Sequence, residues 1–203
     1  MQRTVLAIAL SLFAVAATAA DDWDNLVQGN ARYVEGHLVY SHLDSIRRAT
    51  RDKQKPPVTV VTCADSRVPP ELIFDQTVGD LFVVRVAGNV IDDFNLASVE
   101  YAVSQGYTKL IVVMGHESCG AVDAAISGGT DFGSPALNAL VKKIRTNLDQ
   151  RKPPIRQAIE MNARASTKEI RASKIVQDNK IPVVTVYYSF DGKVTRLSEN
   201  GGD

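Results

Sequence analysis

Four short runs of mostly β-branched residues constrain the fold of this chain more than any other feature. They share continuous apolar character without strict alternation and lie at 58–62, 81–87, 109–114 and 183–188. Such runs are typical of strands buried on both faces within a parallel sheet. The segments between them have helical spacing of apolar residues, at 95–105, 120–126, 136–148 and 155–177. This alternation predicts an α/β domain with a parallel β-sheet core flanked by helices.

The segment before the first strand predicts an additional helix. Between residues 23 and 35, Leu26, Val27, Ala31 and Val34 have amphipathic helical spacing, and Pro56-Pro57 separates this region from the first strand. No repeat or flexible linker divides residues 21–203, so we expect a single domain. A helix outside the sheet with an apolar stripe needs a cover, which a second subunit would provide.

The first twenty residues have the pattern of a secretory signal peptide. Arg3 precedes an apolar stretch from residue 5 to 15, and small residues end at Ala20. The apolar stretch is too short for a membrane anchor, although a buried N-terminal helix is an alternative interpretation. We therefore expect residues 1–20 to be removed, leaving a periplasmic or secreted protein with no membrane anchor after processing.

Composition excludes several classes of protein. The 203 residues are 45% hydrophobic and carry 23 basic against 23 acidic side chains. Disordered chains have fewer apolar residues and more net charge, and polytopic membrane proteins have several apolar runs of about 20 residues. A neutral chain also lacks the excess of Lys and Arg that nucleic-acid binding requires, so we expect no nucleic-acid partner.

Two polar motifs follow predicted buried strands. Cys63, Asp65 and Arg67 alternate after the first strand, and His116 and Cys119 follow the third. Alternate residues of an extended chain point the same way, and ligands collect at the carboxyl ends of parallel strands. Two thiolates and an imidazole, with a fourth position open, form a catalytic type of Zn²⁺ site. The intervening Glu117 is expected to point away from it.

Two questions remain open from these motifs. Asp65 is either a fourth metal ligand that closes the site or an acceptor for the proton of a metal-bound hydroxide, and pairing with Arg67 favours the second role. Cys63 and Cys119 could instead form a disulfide, since cysteines of exported proteins commonly do. The histidines at positions 37 and 42 lack such neighbours and are expected at the surface.

Between residues 26 and 190 the sequence resembles the β-class carbonic anhydrases. The resemblance is carried by the three segments 63–69, 79–89 and 115–121, which read CADSRVP, GDLFVVRVAGN and GHESCGA. It implies one Zn²⁺ per chain held by Cys63, His116 and Cys119, with Asp65 and Arg67 as the catalytic dyad. In some members the Asp becomes the fourth ligand in a closed, inactive state.

The resemblance also implies an activity and an assembly. The expected reaction is the reversible hydration of CO₂ to bicarbonate and a proton through zinc-bound hydroxide. The expected assembly is a homodimer or tetramer in which the N-terminal helix packs on a partner subunit. Two alternatives are a carbonyl sulfide or carbon disulfide hydrolase on the same scaffold, and a non-catalytic exported protein that binds zinc or contains a disulfide.

Overall fold

A five-stranded sheet forms the centre of the computed structural model, which describes residues 18–39 and 43–198. The strands are β1 (Val58–Thr62), β2 (Leu81–Arg85), β3 (Leu110–His116), β4 (Val183–Tyr188) and β5 (Val194–Arg196). Their order is β2-β1-β3-β4-β5; the first four are parallel, and β5 is antiparallel to β4. The predicted parallel core is therefore confirmed, with one short antiparallel strand added at its edge.

Eight α-helices surround this sheet within the described residues. They are α1 (Ala19–Val34), α2 (Leu43–Thr50), α3 (Pro70–Ile73), α4 (Asp93–Ser104), α5 (Gly120–Ser127), α6 (Pro135–Asn147), α7 (Ile155–Ala172) and α8 (Lys174–Asp178). The prediction of one helix over 155–177 is wrong, because Ser173 adopts an extended backbone between α7 and α8. Its hydroxyl accepts a hydrogen bond from the Val176 N–H and so begins α8 as an N-cap.

The sheet separates two apolar layers. Every residue of β1, β3 and β4 is buried, as the continuous apolar runs predict. Val60 and Val112 face one layer, whereas Val61 and Val113 face the other. The prediction is wrong for β2, which is only partly buried and ends at Arg85. Strand β2 is partly exposed because it lies at the edge of the sheet, where β1 is its one neighbouring strand among the described residues.

Helix α1 packs against its own chain along one face. Gly29 allows this close approach, because a Cβ atom there would lie 1.8 Å from the Phe74 carbonyl oxygen. Asn30 donates hydrogen bonds to the Ile73 and Gly192 carbonyls, at 3.0 and 2.8 Å. Of the four predicted stripe residues Leu26 is buried, while Val27, Ala31 and Val34 are exposed. The rest of the stripe is thus left uncovered by residues 18–39 and 43–198.

The predicted signal peptide falls mostly outside the described residues, which begin at Thr18. The Thr18 side chain and Asp21 form a capping box at the start of α1. Between residues 18–39 and 43–198, no helix combines the length and apolar character needed to cross a bilayer.

Candidate metal centre

The three predicted metal ligands meet at the carboxyl edge of the sheet. Cys63 directly follows β1, His116 ends the neighbouring strand β3, and Cys119 is the residue before α5. Because β1 and β3 are parallel, their carboxyl ends lie side by side. One ligand atom from each side chain lies within 4.8 Å of the other two, and all three residues are buried. The two cysteines are free thiols and are not joined by a disulfide.

His116 presents one ring nitrogen as an acceptor. Its Nδ1 lies 2.8 Å from the Glu117 carbonyl oxygen, an acceptor, so Nδ1 carries the proton in a neutral ring. The other nitrogen, Nε2, is buried and has no hydrogen-bond partner among the described residues. A carbonyl that fixes the tautomer in this way is typical of metal-binding histidines. The orphaned nitrogen beside two thiols therefore fits a metal ligand.

The two thiols do not ionise independently. The hydrogen bond from the Cys119 thiol is the largest influence that lowers the pKa of Cys63. The Gly88 N–H also contributes, and lies 3.2 Å from Cys63 Sγ. The same hydrogen bond, together with burial, raises the pKa of Cys119. A bound divalent cation would compensate a second negative charge and allow both thiolates to form.

Asp65 and Arg67 form a bidentate ion pair beside the three ligands. Arg67 Nε donates to Asp65 Oδ1 at 2.9 Å and Nη2 to Oδ2 at 2.7 Å, while the Arg67 backbone N–H also reaches Oδ1. The hydrogen bonds from Arg67 hold the pKa of Asp65 well below its usual range. Asp65 lies outside the ligand group of Cys63, His116 and Cys119. Of the two roles left open by the sequence, this geometry corresponds to a carboxylate held as an acceptor.

Two residues next to the site, Arg85 and Phe190, had no role predicted from the sequence. Arg85 Nε donates to the Cys63 carbonyl at 3.0 Å, and its Nη2 donates to the Asp65 carbonyl at 2.6 Å. The ring of Phe190 lies under the Arg67 guanidinium, with 4.4 Å between Cζ and the ring centroid. Arg85 is the last residue of β2, which pairs with β1, and as a charged residue within the predicted apolar strand at 81–87 it is a signal that the sequence analysis could have used. Phe190 reaches the site from the turn between β4 and β5, and no local sequence pattern connects this turn with the metal-binding motifs.

The other polar residues considered at the sequence level lie elsewhere. Glu117 is not among the clustered metal-binding side chains, and its Oε2 accepts the Phe190 N–H at 2.7 Å. His37 is exposed, and His42 lies outside the described residues.

Comparisons with known proteins identify relatives over most of the chain. The family model described as carbonic anhydrase matches residues 58–194. A carbonic anhydrase of Mycolicibacterium smegmatis is 37% identical over 192 residues, covering 88% of this chain and 93% of that protein. Carbonic anhydrase 2 of Mycobacterium tuberculosis is 49% identical over 110 residues, which cover 54% of this chain and 53% of that protein.

Solved structures of relatives have the same fold. The Coccomyxa β-carbonic anhydrase in complex with acetazolamide has a TM-score of 0.69 at 25% identity, covering 85% of this chain and 84% of that one. A tetrameric β-carbonic anhydrase from Sordaria macrospora has a TM-score of 0.67 at 24% identity, covering 88% and 95% of the two chains.

Proposed function

Since this chain belongs to the β-class carbonic anhydrase family, we propose that it catalyses the reversible hydration of CO₂ to bicarbonate and a proton. The observation that carries the proposal is the meeting of two thiols and the His116 imidazole, whose ligand atoms lie within 4.8 Å of one another. His116 Nε2 is buried and has no hydrogen-bond partner among the described residues, so it is free to bind a metal. The bidentate Asp65–Arg67 pair beside them supplies a fixed, charged acceptor. Family membership and site geometry therefore lead to the same reaction.

We propose Zn²⁺ as the metal, with one ion per chain held by Cys63, His116 and Cys119. Thiolate and imidazole are its preferred ligands, and three protein ligands leave one coordination position for water. When bound, the ion acts as a Lewis acid that lowers the pKa of water, as the carbonic anhydrases illustrate in general.

The chain's own residues would orient the reactants. Asp65 is ionised at neutral pH and can accept a hydrogen bond from the oxygen nucleophile, which fixes where that proton lies. Arg67 holds both carboxylate oxygens, so Asp65 stays out of the fourth coordination position. Phe190 covers one face of the guanidinium and limits its movement. Carbon dioxide is apolar and uncharged, so its binding requires little beyond an apolar wall beside this acceptor.

The proposal is tested by the initial rate of CO₂ hydration by purified residues 21–203, with zinc quantified in the same sample. We expect activity together with about one zinc per chain, the stoichiometry of a three-ligand site. The matched variant Cys119→Ser should lose both zinc and activity. Zinc-loaded protein that does not hydrate CO₂ would contradict the proposed reaction; assaying carbonyl sulfide and carbon disulfide would then test the related hydrolases.

Export and assembly form part of the same proposal. The signal-like residues 1–20 support a periplasmic or secreted protein, and the exposed residues Val27, Ala31 and Val34 support a homodimer or tetramer. Mass measurement of the protein recovered from the periplasm would test removal of residues 1–20. An intact N-terminus would contradict processing.

A further inference from the structure

Buried hydrogen bonds from helix α7 support the turn next to Cys63. We propose that Asn162 is a positioning residue for the metal, because it holds the turn whose Gly88 N–H donates to Cys63 Sγ. The inference rests on the metal site of the proposed function, but it concerns metal affinity and can be tested without an activity assay. Neither motif in the sequence points to Asn162, which lies in the middle of α7.

The turn at residues 87–89 places two successive residues in the left-handed region. Gly88 has a φ of 68° and Asn89 a φ of 44°. Glycine adopts this region freely and asparagine at small cost, so these residues permit the turn but do not by themselves hold it in one conformation. A Cβ at position 88 would lie 2.8 Å from Ile144 Cδ1 and 3.3 Å from Ala121 Cβ, so glycine also lets these side chains approach the turn closely. The turn therefore needs contacts from outside to keep its N–H directed at sulfur.

Helix α7 supplies those contacts. Asn162 Nδ2 donates to the Gly88 carbonyl at 2.6 Å, and Ser166 Oγ donates to the Asn89 carbonyl at 2.8 Å. Asn162 and Ser166 are one helical turn apart, so they lie on the same face of α7. Both are fully buried. Two successive carbonyls of the turn are thus fixed by side chains from one rigid element.

The supporting amide is itself fixed at both ends. Asn162 Oδ1 accepts a hydrogen bond from Asn147 Nδ2 of α6 at 2.8 Å, which determines which end of the amide faces Gly88. Helix α7 also packs closely on β3: a Cβ at Gly115, next to His116, would lie 3.0 Å from Ile159 Cγ2. The same helix therefore positions the turn behind Cys63 and the strand that ends at His116.

The Gly88 N–H acts on the ligand in two ways. A hydrogen bond to sulfur stabilises the thiolate form that binds metal, and it orients the sulfur toward the other ligands. Loss of hydrogen bonds that orient metal ligands commonly reduces metal affinity by about 10- to 100-fold. Without the Asn162 amide, the Gly88 carbonyl is left unsatisfied and the turn can relax, so its N–H no longer faces Cys63 in one fixed direction.

The test compares zinc affinity, measured by competition with a chromogenic chelator, for the parent protein and three variants. Asn162→Leu keeps the number and branching of the side chain's heavy atoms but removes the hydrogen-bonding amide, and we expect about 10- to 100-fold weaker zinc binding. Ser166→Ala removes one contact to the same turn, and we expect a smaller loss of affinity. In the cobalt-substituted protein, both variants should shift the sulfur-to-cobalt charge-transfer bands.

Thr185→Val is the matched control. It breaks the buried Thr167–Thr185 hydrogen bond of 2.7 Å, which joins the same helix α7 to β4 but does not reach the turn. This variant should lose stability but retain the zinc affinity and cobalt spectrum of the parent. Parent-like affinity and spectra in folded Asn162→Leu and Ser166→Ala would overturn the inference. So would an equal loss of affinity in Thr185→Val.

If Asn162→Leu does not fold, Ser166→Ala decides the question. Failure of the proposed function would give a different result, because the parent would bind zinc tightly without hydrating CO₂. The effect of Asn162 on affinity would still be measurable in that case.

Discussion

At the residue scale, the position of the Asp65 carboxylate would determine whether the proposed metal site keeps a coordination position free for water. The Asp65 side chain is 18% exposed and could approach the ligands. Two donors of Arg67, Nε and Nη2, hold both of its carboxylate oxygens instead. Arg67 is in turn placed by the Phe190 ring and by a long contact of 3.5 Å to the Ser118 carbonyl. The guanidinium therefore connects the carboxylate to the loop between His116 and Cys119.

Arg67→Gln should remove this control of Asp65. Glutamine retains polarity but cannot form the bidentate, charged pair, so the carboxylate is free to move toward the metal. We expect the rate of CO₂ hydration to fall by at least about 100-fold, the lower end of what a positioned proton acceptor contributes. Zinc content should remain that of the parent. Arg48→Gln, which breaks an exposed ion pair with Asp44 on α2, is the control. A parent-like rate in Arg67→Gln would contradict the role.

The same pair predicts how Asp65 titrates. Its pKa is lowered by the Arg67 hydrogen bonds, so the folded-state pKa lies below that of the unfolded chain. The pair therefore contributes stability above about pH 4, the ordinary Asp value, and this contribution is lost as pH falls through the lower pKa. In the metal-free protein, carboxyl ¹³C NMR should show no Asp65 titration between about pH 4 and 7, and Arg67→Gln should raise the Asp65 pKa toward the ordinary value of about 4. If Asp65 had the same titration curve in the parent protein and in Arg67→Gln, the Asp65–Arg67 pair would not exist in solution.

At the element scale, the sequence is informative where a strand is buried on both faces. The runs in β1, β3 and β4 contain little except apolar residues, because neighbours and helices surround them. Strand β5 has three residues, none of them buried, so it leaves no apolar pattern. Helix α2 likewise has no buried residue. Helix α3 contains buried Pro70 and Ile73, but its four residues are too few to form a helical pattern. The interruption at Ser173 was missed because the apolar spacing continues across it.

The residues of the candidate site likewise differ in whether the sequence reveals them. Cys63, His116 and Cys119 could be found because each belongs to a short local motif that follows or ends a buried strand. Asn162 lies 74 residues from Gly88, which it contacts, and Phe190 lies 123 residues from Arg67. No periodicity connects such distant residues, so only the packed chain reveals them. Ligand identity is therefore local information, whereas ligand orientation depends on the tertiary structure.

Gly29→Ala should disrupt the packing of α1. Alanine is the better helix former at an exposed position, by about 1 kcal/mol. At residue 29, however, its Cβ would lie 1.8 Å from the Phe74 carbonyl oxygen, a backbone atom that cannot rotate away. We expect a net loss of about 1–3 kcal/mol in the free energy of unfolding, as for overpacked sites. Urea denaturation measures it, with the neighbouring exposed position Gln28→Ala as the control. A more stable Gly29→Ala protein would contradict this packing.

At the scale of the whole molecule, the described part of the chain leaves one face of α1 and the β2 edge without a cover. Val27 is 48% exposed, although it belongs to the same apolar stripe as buried Leu26. Val27→Asp should therefore weaken the proposed homo-oligomer, because a charge buried between subunits is costly. Light scattering after gel filtration should show a lower mass than for the parent. Gln28→Asp places the same charge at the adjacent exposed position and should leave the mass unchanged. An unchanged mass in Val27→Asp would contradict this interface.

The metal centre and the apolar core contribute separately to the stability of the molecule. Both apolar layers of the sheet consist mainly of residues other than the ligands, so the chain should remain folded without metal. We expect the proposed zinc ion to bind the assembled site of the native state and to stabilise it by about 4 kcal/mol at a free concentration about 1,000 times its dissociation constant.

For a chain of this length, that stabilisation corresponds to a change of about 8–16 °C in Tm. Chelation should therefore lower Tm by about this amount while the far-ultraviolet circular dichroism at 25 °C stays unchanged. Cys119→Ser should have a low Tm from the start and respond little to chelator, because its site no longer holds the ion firmly. If removing zinc from the parent left Tm unchanged, the ion would not be bound at a site that forms on folding. If it abolished the helical signal instead, the core would depend on the metal, contrary to the packing of β1, β3 and β4.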